Sequence, residues 1–273
     1  MNEKSINGLT LYYADGEEAA AEIIGSAAAE SEGLLNELWR LVVPEDCRVY
    51  VMTSWREFLS ESAPWYWKIP MVLTFPLWAA RVSRLWRFAG GWAQRYGNRQ
   101  AVGVKPPRLL ESADTSLGER IFVKLEDVDE KVRRITCHEL VHAFSSHLRL
   151  PSWLNEGLAM VTVDYLAGEP TVKVETLETL RSRAGRDRPK GYRQLSVKDP
   201  DSMIYHYVRG YWITRYVLEA DPESLVSLLK ERMRSKELEQ KLAASMEMSR
   251  EQFWSEIDGI VANYFEKKYS PDE

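Results

Sequence analysis

The residues His138-Glu139-Leu140-Val141-His142 form an HExxH sequence, and this stretch decides how the rest of the chain is interpreted. On an α-helix, positions four apart lie on one face, about 6 Å apart along the axis, so both imidazoles can reach a single ion. Glu139 follows the first histidine and can reach a water molecule held by that ion. The spacing therefore predicts a metal site on a helix.

The segment around the motif has the pattern of a helix. Asp127 and Glu130 have the spacing of a capping box, and Pro151 marks the end. Apolar residues recur between them at helical intervals, namely Val132, Ile135, Leu140, Val141, Phe144 and Leu148. The sequence predicts one helix from Asp127 to Leu150. The alternative is a surface helix whose histidines are ordinary polar residues and hold no ion.

The third ligand is expected on the next helix. A metzincin has a third histidine six residues beyond the second, but that position is Leu148, and His147 is expected at the surface or at the helix end. Glu156 is the better candidate, because Ser152 is expected to cap a second helix whose first turns contain it. The alternative is an ordinary first-turn glutamate that interacts favourably with the helix dipole.

Two imidazoles and one carboxylate are a ligand set that zinc accepts in tetrahedral geometry, with a fourth position kept for water. We therefore expect one Zn²⁺ per chain, bound by His138, His142 and Glu156. Zinc lowers the pKa of its bound water to about 7. Glu139 is the general base that takes the proton and the general acid that returns it to a leaving amine. The sequence thus predicts a zinc-dependent peptidase.

These residues also resemble a known family. The stretch HELVHAF (138–144) followed by LPSWLNEGLA (150–159) resembles the gluzincin group of zinc metallopeptidases, and most closely its small peptidase-MA-like members. The resemblance is strong over residues 135 to 165 and weak before 120. It implies an α+β fold with a zincin-like (thermolysin-like) catalytic domain. It also implies the same three ligands and Glu139 as the base.

A tyrosine in the C-terminal half of the chain is expected to stabilise the oxyanion that forms on the substrate. Residues 207–219, YVRGYWITRYVLE, resemble the tyrosine-bearing helix of the same group, and by this resemblance Tyr207 stabilises the oxyanion. Tyr205 and Tyr211 are close enough in sequence to take that role, and the alternative is that all three only pack. Some gluzincins have an acidic residue at the position of Met160, so Asp164 or backbone carbonyls are candidates to orient the imidazoles.

The composition limits the partners. The net charge of -5 and the pI near 5.6 argue against nucleic acid as a partner. The expected substrates of the predicted peptidase are peptides or unfolded protein segments. Cys47 and Cys137 are expected as free, buried thiols. The N-terminus lacks a basic start followed by an apolar run, so no secretory signal is expected and the cytoplasm is the default compartment. The oligomeric state is left open.

The expected fold is a single metallopeptidase-like domain over residues 1–273, with an α/β part over 1–165 and a helical part over 166–273. In the first part, alternation of apolar residues predicts strands at Leu9 to Tyr13, Arg48 to Met52, Ala101 to Val104 and Arg120 to Leu125, with a helix at 17 to 41. In the second part, periodicity predicts helices at 203 to 219, 222 to 234, 236 to 245 and 249 to 267.

The basic stretch from Arg181 to Arg193 is expected to be a surface loop or, alternatively, a mobile flap.

A helical insertion is expected at about residues 55–95. The segment from Trp55 to Trp92 holds six of the ten tryptophans, and Met71 to Ala80 is almost wholly apolar but too short to span a bilayer. We expect a helical hairpin that packs on the catalytic core or caps its cleft. The alternative is peripheral membrane contact through residues 65–92.

Two further functions of the chain remain open, namely a zincin-fold binding or regulatory module and a zinc hydrolase of non-peptide amides.

Overall fold

A computed structural model describes residues 1–111, 116–186, 190–196 and 198–269. The chain divides into two compact units. The first consists of Met1–Glu37, Leu41–Ser116 and Lys124–Phe144, and the second of Leu38–Arg40, Leu117–Val123 and Ser145–Glu273. The single metallopeptidase-like domain expected over residues 1–273 stays a prediction.

The first unit is built on a mixed five-stranded sheet. Its strands are β1 (Asn2–Ile6), β2 (Leu9–Tyr13), β3 (Asp46–Val51), β4 (Gly91–Tyr96) and β5 (Arg99–Val104), in the order β1-β2-β3-β5-β4. The three central strands are parallel to one another, and β1 and β4 run antiparallel at the two edges. Asn7 and Gly8 connect β1 to β2 and both have positive φ, at 45° and 86°, as a two-residue hairpin turn of type I′ requires.

Helices lie between and after these strands along the chain. They are α1 (Glu18–Trp39), α2 (Trp55–Ser62), α3 (Trp65–Trp86), α4 (Pro107–Leu110) and α5 (Val128–Ser145). A Cβ atom on Gly25 of α1 would lie 2.9 Å from Ile6 Cδ1, so α1 packs closely against the β1–β2 hairpin. Most buried residues of α1 are small, which permits this approach; the buried residues are Ala20, Ala21, Ile24, Gly25, Ala27, Ala28, Ser31, Leu35 and Trp39.

The second unit is helical. Its helices are α6 (Ser152–Ala167), α7 (Thr176–Ser182), α8 (Pro200–Ala220), α9 (Pro222–Leu228), α10 (Ser235–Ser245) and α11 (Arg250–Tyr269). Asp199 and Asp221 cap α8 and α9, accepting from the backbone N–H of Ser202 and Ser224, and each is followed by a proline at the first helical position. A buried ion pair between Arg209 and Asp258 joins α8 to α11.

The observed secondary structure agrees with the expected α+β class, since a small sheet accompanies a mostly helical chain. The strand at Leu9–Tyr13 and the helices at 203–219, 236–245 and 249–267 are confirmed within a few residues. Sequence periodicity did not reveal β1 or β4. The zincin-like character of the fold remains a proposal. Among the described residues, no helix is both long enough and apolar enough to cross a membrane.

Four predictions about elements were wrong. Arg120 to Leu125 is not a strand, because this segment begins in a 3₁₀ turn and pairs only through one bridge, Phe122 to Val172. The helix predicted over 222–234 ends at Leu228, after which the residues are largely exposed. The helix expected to reach Leu150 ends at Ser145. Ser152 is not the N-cap of α6, since Pro151 occupies that position and the Ser152 hydroxyl donates to Lys190 O.

The boundary of the tryptophan-rich insertion also needs correction. Helices α2 and α3 occupy the segment in which a helical hairpin was expected, so its helical character is confirmed. Residues 91–95, however, belong to β4 and pair with β5, so they are part of the sheet. The insertion therefore ends before Gly91.

Helices α6 and α8 of the second unit touch backbone to backbone. A Cβ atom added to Gly157 would overlap the carbonyl of Gly210 and the hydroxyl of Thr214, and one added to Gly210 would overlap the carbonyl of Trp153. Only glycine at both positions allows this separation. The contact fixes how far α6 can rotate about its axis, and therefore the direction of Glu156, which precedes Gly157.

We predict that Gly157→Ala destabilises the protein by about 3 kcal/mol or more, because the new methyl group overlaps backbone atoms that cannot move aside. The matched control is Gly259→Ala in α11, where nothing lies within 4 Å of an added Cβ. That change should stabilise the protein by up to about 1 kcal/mol, as alanine replaces glycine inside a helix. Urea unfolding of both variants measures the difference, and equal stabilities would contradict the assigned contact.

Candidate metal centre

Helix α5 presents the two histidines on one side. Asp127 caps the helix as expected, since its Oδ1 accepts from the backbone N–H groups of Asp129 and Glu130 at 2.9 and 3.1 Å. His138 and His142 are half-buried, one turn apart, and their Nε2 atoms are 3.1 Å from each other. The helix therefore directs both ring nitrogens to one point.

This separation fits a shared metal ion. Two nitrogen ligands at about 2.0–2.1 Å from zinc, at a tetrahedral angle, are about 3.3 Å apart. The observed Nε2–Nε2 distance of 3.1 Å is close to that value. Two neutral imidazoles are also suitable ligands for zinc. His147 lies beyond the end of α5 and is exposed, as expected for a surface histidine.

Glu139 lies beside the edge strand β4. A Cβ atom on Gly91 would be 2.5 Å from Glu139 Cγ, and one on the preceding Gly90 would be 2.5 Å from Ile135 Cδ1. The backbone at the start of β4 therefore runs directly against this face of α5, and any larger side chain would push Glu139 away. The same strand pairs with β5 through backbone hydrogen bonds along one edge.

Glu156 is a buried carboxylate on α6, with 3% of its surface exposed. Glu156, the third ligand expected from the sequence, belongs to the second unit, whereas His138 and His142 belong to the first. A buried carboxylate is costly unless hydrogen bonds or a cation stabilise its charge, so its polar neighbours are informative.

Tyr192 is the polar neighbour that the sequence did not reveal. Its hydroxyl donates to Glu156 Oε1 at 2.7 Å and accepts from Asn155 Nδ2 at 2.9 Å. Asn155 Oδ1 in turn accepts from the Ser145 hydroxyl at 3.0 Å. Burial of its hydroxyl, followed by the charge of Glu156, raises the pKa of Tyr192 well above its ordinary value, so it stays a hydrogen-bond donor. Tyr192 belongs to the basic stretch that was expected to be a surface loop.

The three candidate tyrosines are not equivalent. The hydroxyl of Tyr205 donates to Asp258 at 2.6 Å, and that of Tyr211 donates to Asp164 at 2.6 Å, in both cases inside the second unit. Both residues are buried. Tyr207 is half-buried, and its ring lies 6.0 Å from that of His206. The hydroxyls of Tyr205 and Tyr211 are therefore already bonded to carboxylates of the second unit, and the role of Tyr207 stays a prediction.

Asp164 serves the second unit and not the imidazoles. Its Oδ1 accepts from the backbone and the hydroxyl of Thr171, and its Oδ2 accepts from Tyr211 and Arg215, all at 2.6–2.7 Å. Both carboxylate oxygens are thus used within this network. The expectation that Asp164 orients a histidine finds no support here.

Two other groups near the candidate ligands are held neutral. His206 is buried, and this burial lowers its pKa, an effect that the charge of Glu156 partly offsets. Cys137 precedes His138 and is fully buried as a free thiol, as expected. Burial raises the pKa of Cys137 to about 12. The Cys137 thiol has Ser31 of α1 as its hydrogen-bond partner, so it faces that helix.

The chain was compared with known proteins. No protein-family profile matches it, and no curated protein sequence matches it. The likeness to gluzincins therefore depends on the short motifs around the two candidate zinc helices.

Proposed function

We propose that this chain is a zinc-dependent peptidase of the gluzincin type, with a zincin-like catalytic domain and one Zn²⁺ per chain. The observation that carries the proposal is the pair His138 and His142 on α5, whose Nε2 atoms lie 3.1 Å apart, with Glu139 of the same HExxH sequence held beside Gly91. Peptides or unfolded protein segments are the proposed substrates.

The donor set fits zinc. In this proposal His138 and His142 each supply Nε2, and Glu156 supplies one carboxylate oxygen. When bound, zinc supplies a Lewis acid that polarises a carbonyl and makes hydroxide available near neutral pH. Tyr192 donates to the carboxylate of Glu156 and so holds its orientation, which is the role that outer hydrogen bonds have at metal sites.

Glu139 is the proposed proton carrier. It accepts a proton from the attacking water and returns it to the nitrogen of the departing amine, so one carboxylate serves both steps. The tight contact with Gly91 restricts its side chain, which favours a fixed position during both transfers. A zinc-binding scaffold without activity does not need a carboxylate at this position, so Glu139 favours an enzyme over a binding or regulatory module.

Strand β4 is the proposed site for the substrate backbone. It lies at the edge of the described sheet and pairs with a neighbour along one side only. An extended peptide can add to such an edge by backbone hydrogen bonds. The start of β4 lies against Glu139, so a peptide added there passes near the proposed base. Tyr207 is the proposed donor to the oxyanion.

We predict that Glu139→Gln keeps about one zinc per chain but lowers the turnover of a peptide library by at least about 10³-fold, because the general base is lost while the ligands remain. Metal content is measured by elemental mass spectrometry and turnover by peptide fragment analysis. His142→Ala should lose both zinc and activity. Its matched control is His147→Ala, which changes an exposed histidine just beyond α5 and should lose neither.

These variants separate the competing functions. Full turnover by Glu139→Gln would disprove the assigned mechanism. Stoichiometric zinc without hydrolysis of any peptide by the unaltered chain would instead favour the binding module, or a hydrolase of non-peptide amides. The fragment masses distinguish cleavage inside peptides from removal of terminal residues.

We also predict that Tyr192→Phe weakens zinc binding by about 10- to 100-fold, because the Glu156 carboxylate loses the donor that orients it. The matched control is Tyr165→Phe on α6, a tyrosine that is 51% exposed. Competition with a zinc chelator of known affinity measures both variants. Equal affinities for the two would show that the hydrogen bond to Glu156 does not act on the metal.

A further inference from the structure

Helix α3 exposes an apolar face that globular proteins normally cover. None of its 22 residues is fully buried. Four of its large apolar side chains are strongly exposed, namely Tyr66 at 53%, Ile69 at 58%, Leu73 at 76% and Leu77 at 85%. These four residues recur at helical spacing on one side. Contiguous apolar patches of this kind mark interaction sites.

The opposite side of α3 holds the helix on the first unit. Met71 and Trp86 pack against the buried cluster that includes Tyr50 and Phe58. Phe75 stacks on Trp55 with ring centroids 6.1 Å apart. Lys105 Nζ donates to Trp86 O at 2.5 Å. Because one side is anchored in this way, the other side is presented outward as a fixed surface.

Charge is segregated around this helix. Residues 62–110 contain eight of the 36 lysines and arginines of the chain and none of its 41 aspartates and glutamates. Arg81, Arg84 and Arg87 continue the outward face beyond Leu77 and are exposed. None of these three arginines forms an ion pair with any residue that the structure describes. Arg99 and Arg108 of this segment pair with Asp46 and Glu17, so the cations that favour an anionic partner are the three arginines at the C-terminal end of α3.

From these observations we infer that α3 lies on an anionic lipid bilayer and attaches the protein to it. The outward face inserts Ile69, Leu73 and Leu77 at the boundary between head groups and acyl chains, and the arginines contact lipid phosphates. Trp65, Tyr66 and Trp67 at the start of the helix are aromatic residues of the kind enriched at membrane interfaces.

Two prolines agree with a location at the interface. Pro70 and Pro76 lie inside α3 and have no N–H, so the carbonyls of Tyr66 and Val72 lose their usual helical donors. Such carbonyls are costly in hydrocarbon but find water or lipid head groups at an interface. The inference uses only the first unit and does not depend on the metal site.

The test is co-sedimentation of the full chain with vesicles. We expect binding to vesicles made of equal parts phosphatidylglycerol and phosphatidylcholine, and much weaker binding to phosphatidylcholine alone. Raising the salt concentration should reduce the binding, because ions screen the arginines from the lipid phosphates. Absence of binding to the anionic vesicles at low salt would overturn the inference.

Variants locate the surface. Leu73→Glu with Leu77→Glu should lower binding at least tenfold, because two carboxylates replace inserted leucines. The matched control is Val42→Glu with Val174→Glu, which makes the same kind of change at valines that are 65% and 42% exposed outside α3. Its binding should stay near that of the unaltered chain, apart from the general effect of two added negative charges.

Replacing Arg81, Arg84 and Arg87 with glutamine should lower binding to anionic vesicles about fivefold per arginine and leave binding to neutral vesicles unchanged. Circular dichroism verifies that each variant is folded. An oligomer of the unaltered chain that the two leucine substitutions convert to a monomer, without an effect on vesicle binding, would show that the face joins copies of the chain. That result would also overturn the inference.

Discussion

The backbone contact between α6 and α8 is the constraint on which the arrangement of the second unit depends. Gly157 and Gly210 let the two helices approach until main-chain atoms touch. This contact sets the rotation of α6, so Asn155 and Glu156 point toward Tyr192. A buried carboxylate then becomes tolerable, because a hydroxyl that remains protonated donates to it.

In the first unit, close approaches at glycines likewise position a helix. Gly90 and Gly91 bring the start of β4 against Ile135 and Glu139 of α5, and the capped helix holds His138 and His142 in line. In both units, glycines remove side chains where a functional helix must be approached closely. The positions of α5 and α6 are thus each set, within their own units, by close approaches at glycines.

The proposed peptidase site and the proposed lipid-binding helix make different demands on the chain. A metal site needs buried polar groups that are held in place, whereas α3 keeps large apolar groups exposed. Hydrophobic burial would normally favour covering Leu73 and Leu77, since each exposed leucine forgoes about 1.5–3 kcal/mol of transfer free energy. Together the two proposals describe a peptidase that acts at a membrane surface.

The sequence by itself determined the features that depend on local periodicity and on side-chain chemistry. The spacing of His138 and His142, the cap at Asp127 and the strand at Leu9–Tyr13 could all be predicted, because each depends on residues near in sequence. Edge strand β4 could not be predicted, since its pairing with β5 depends on a separate strand, and α5 ends early in a turn in which the N–H of Leu148 donates to Ser145 O. Only the tertiary structure brought Tyr192 to Glu156 across 36 residues and left α3 exposed, because packing between distant segments decides which side chains meet and which stay in solvent.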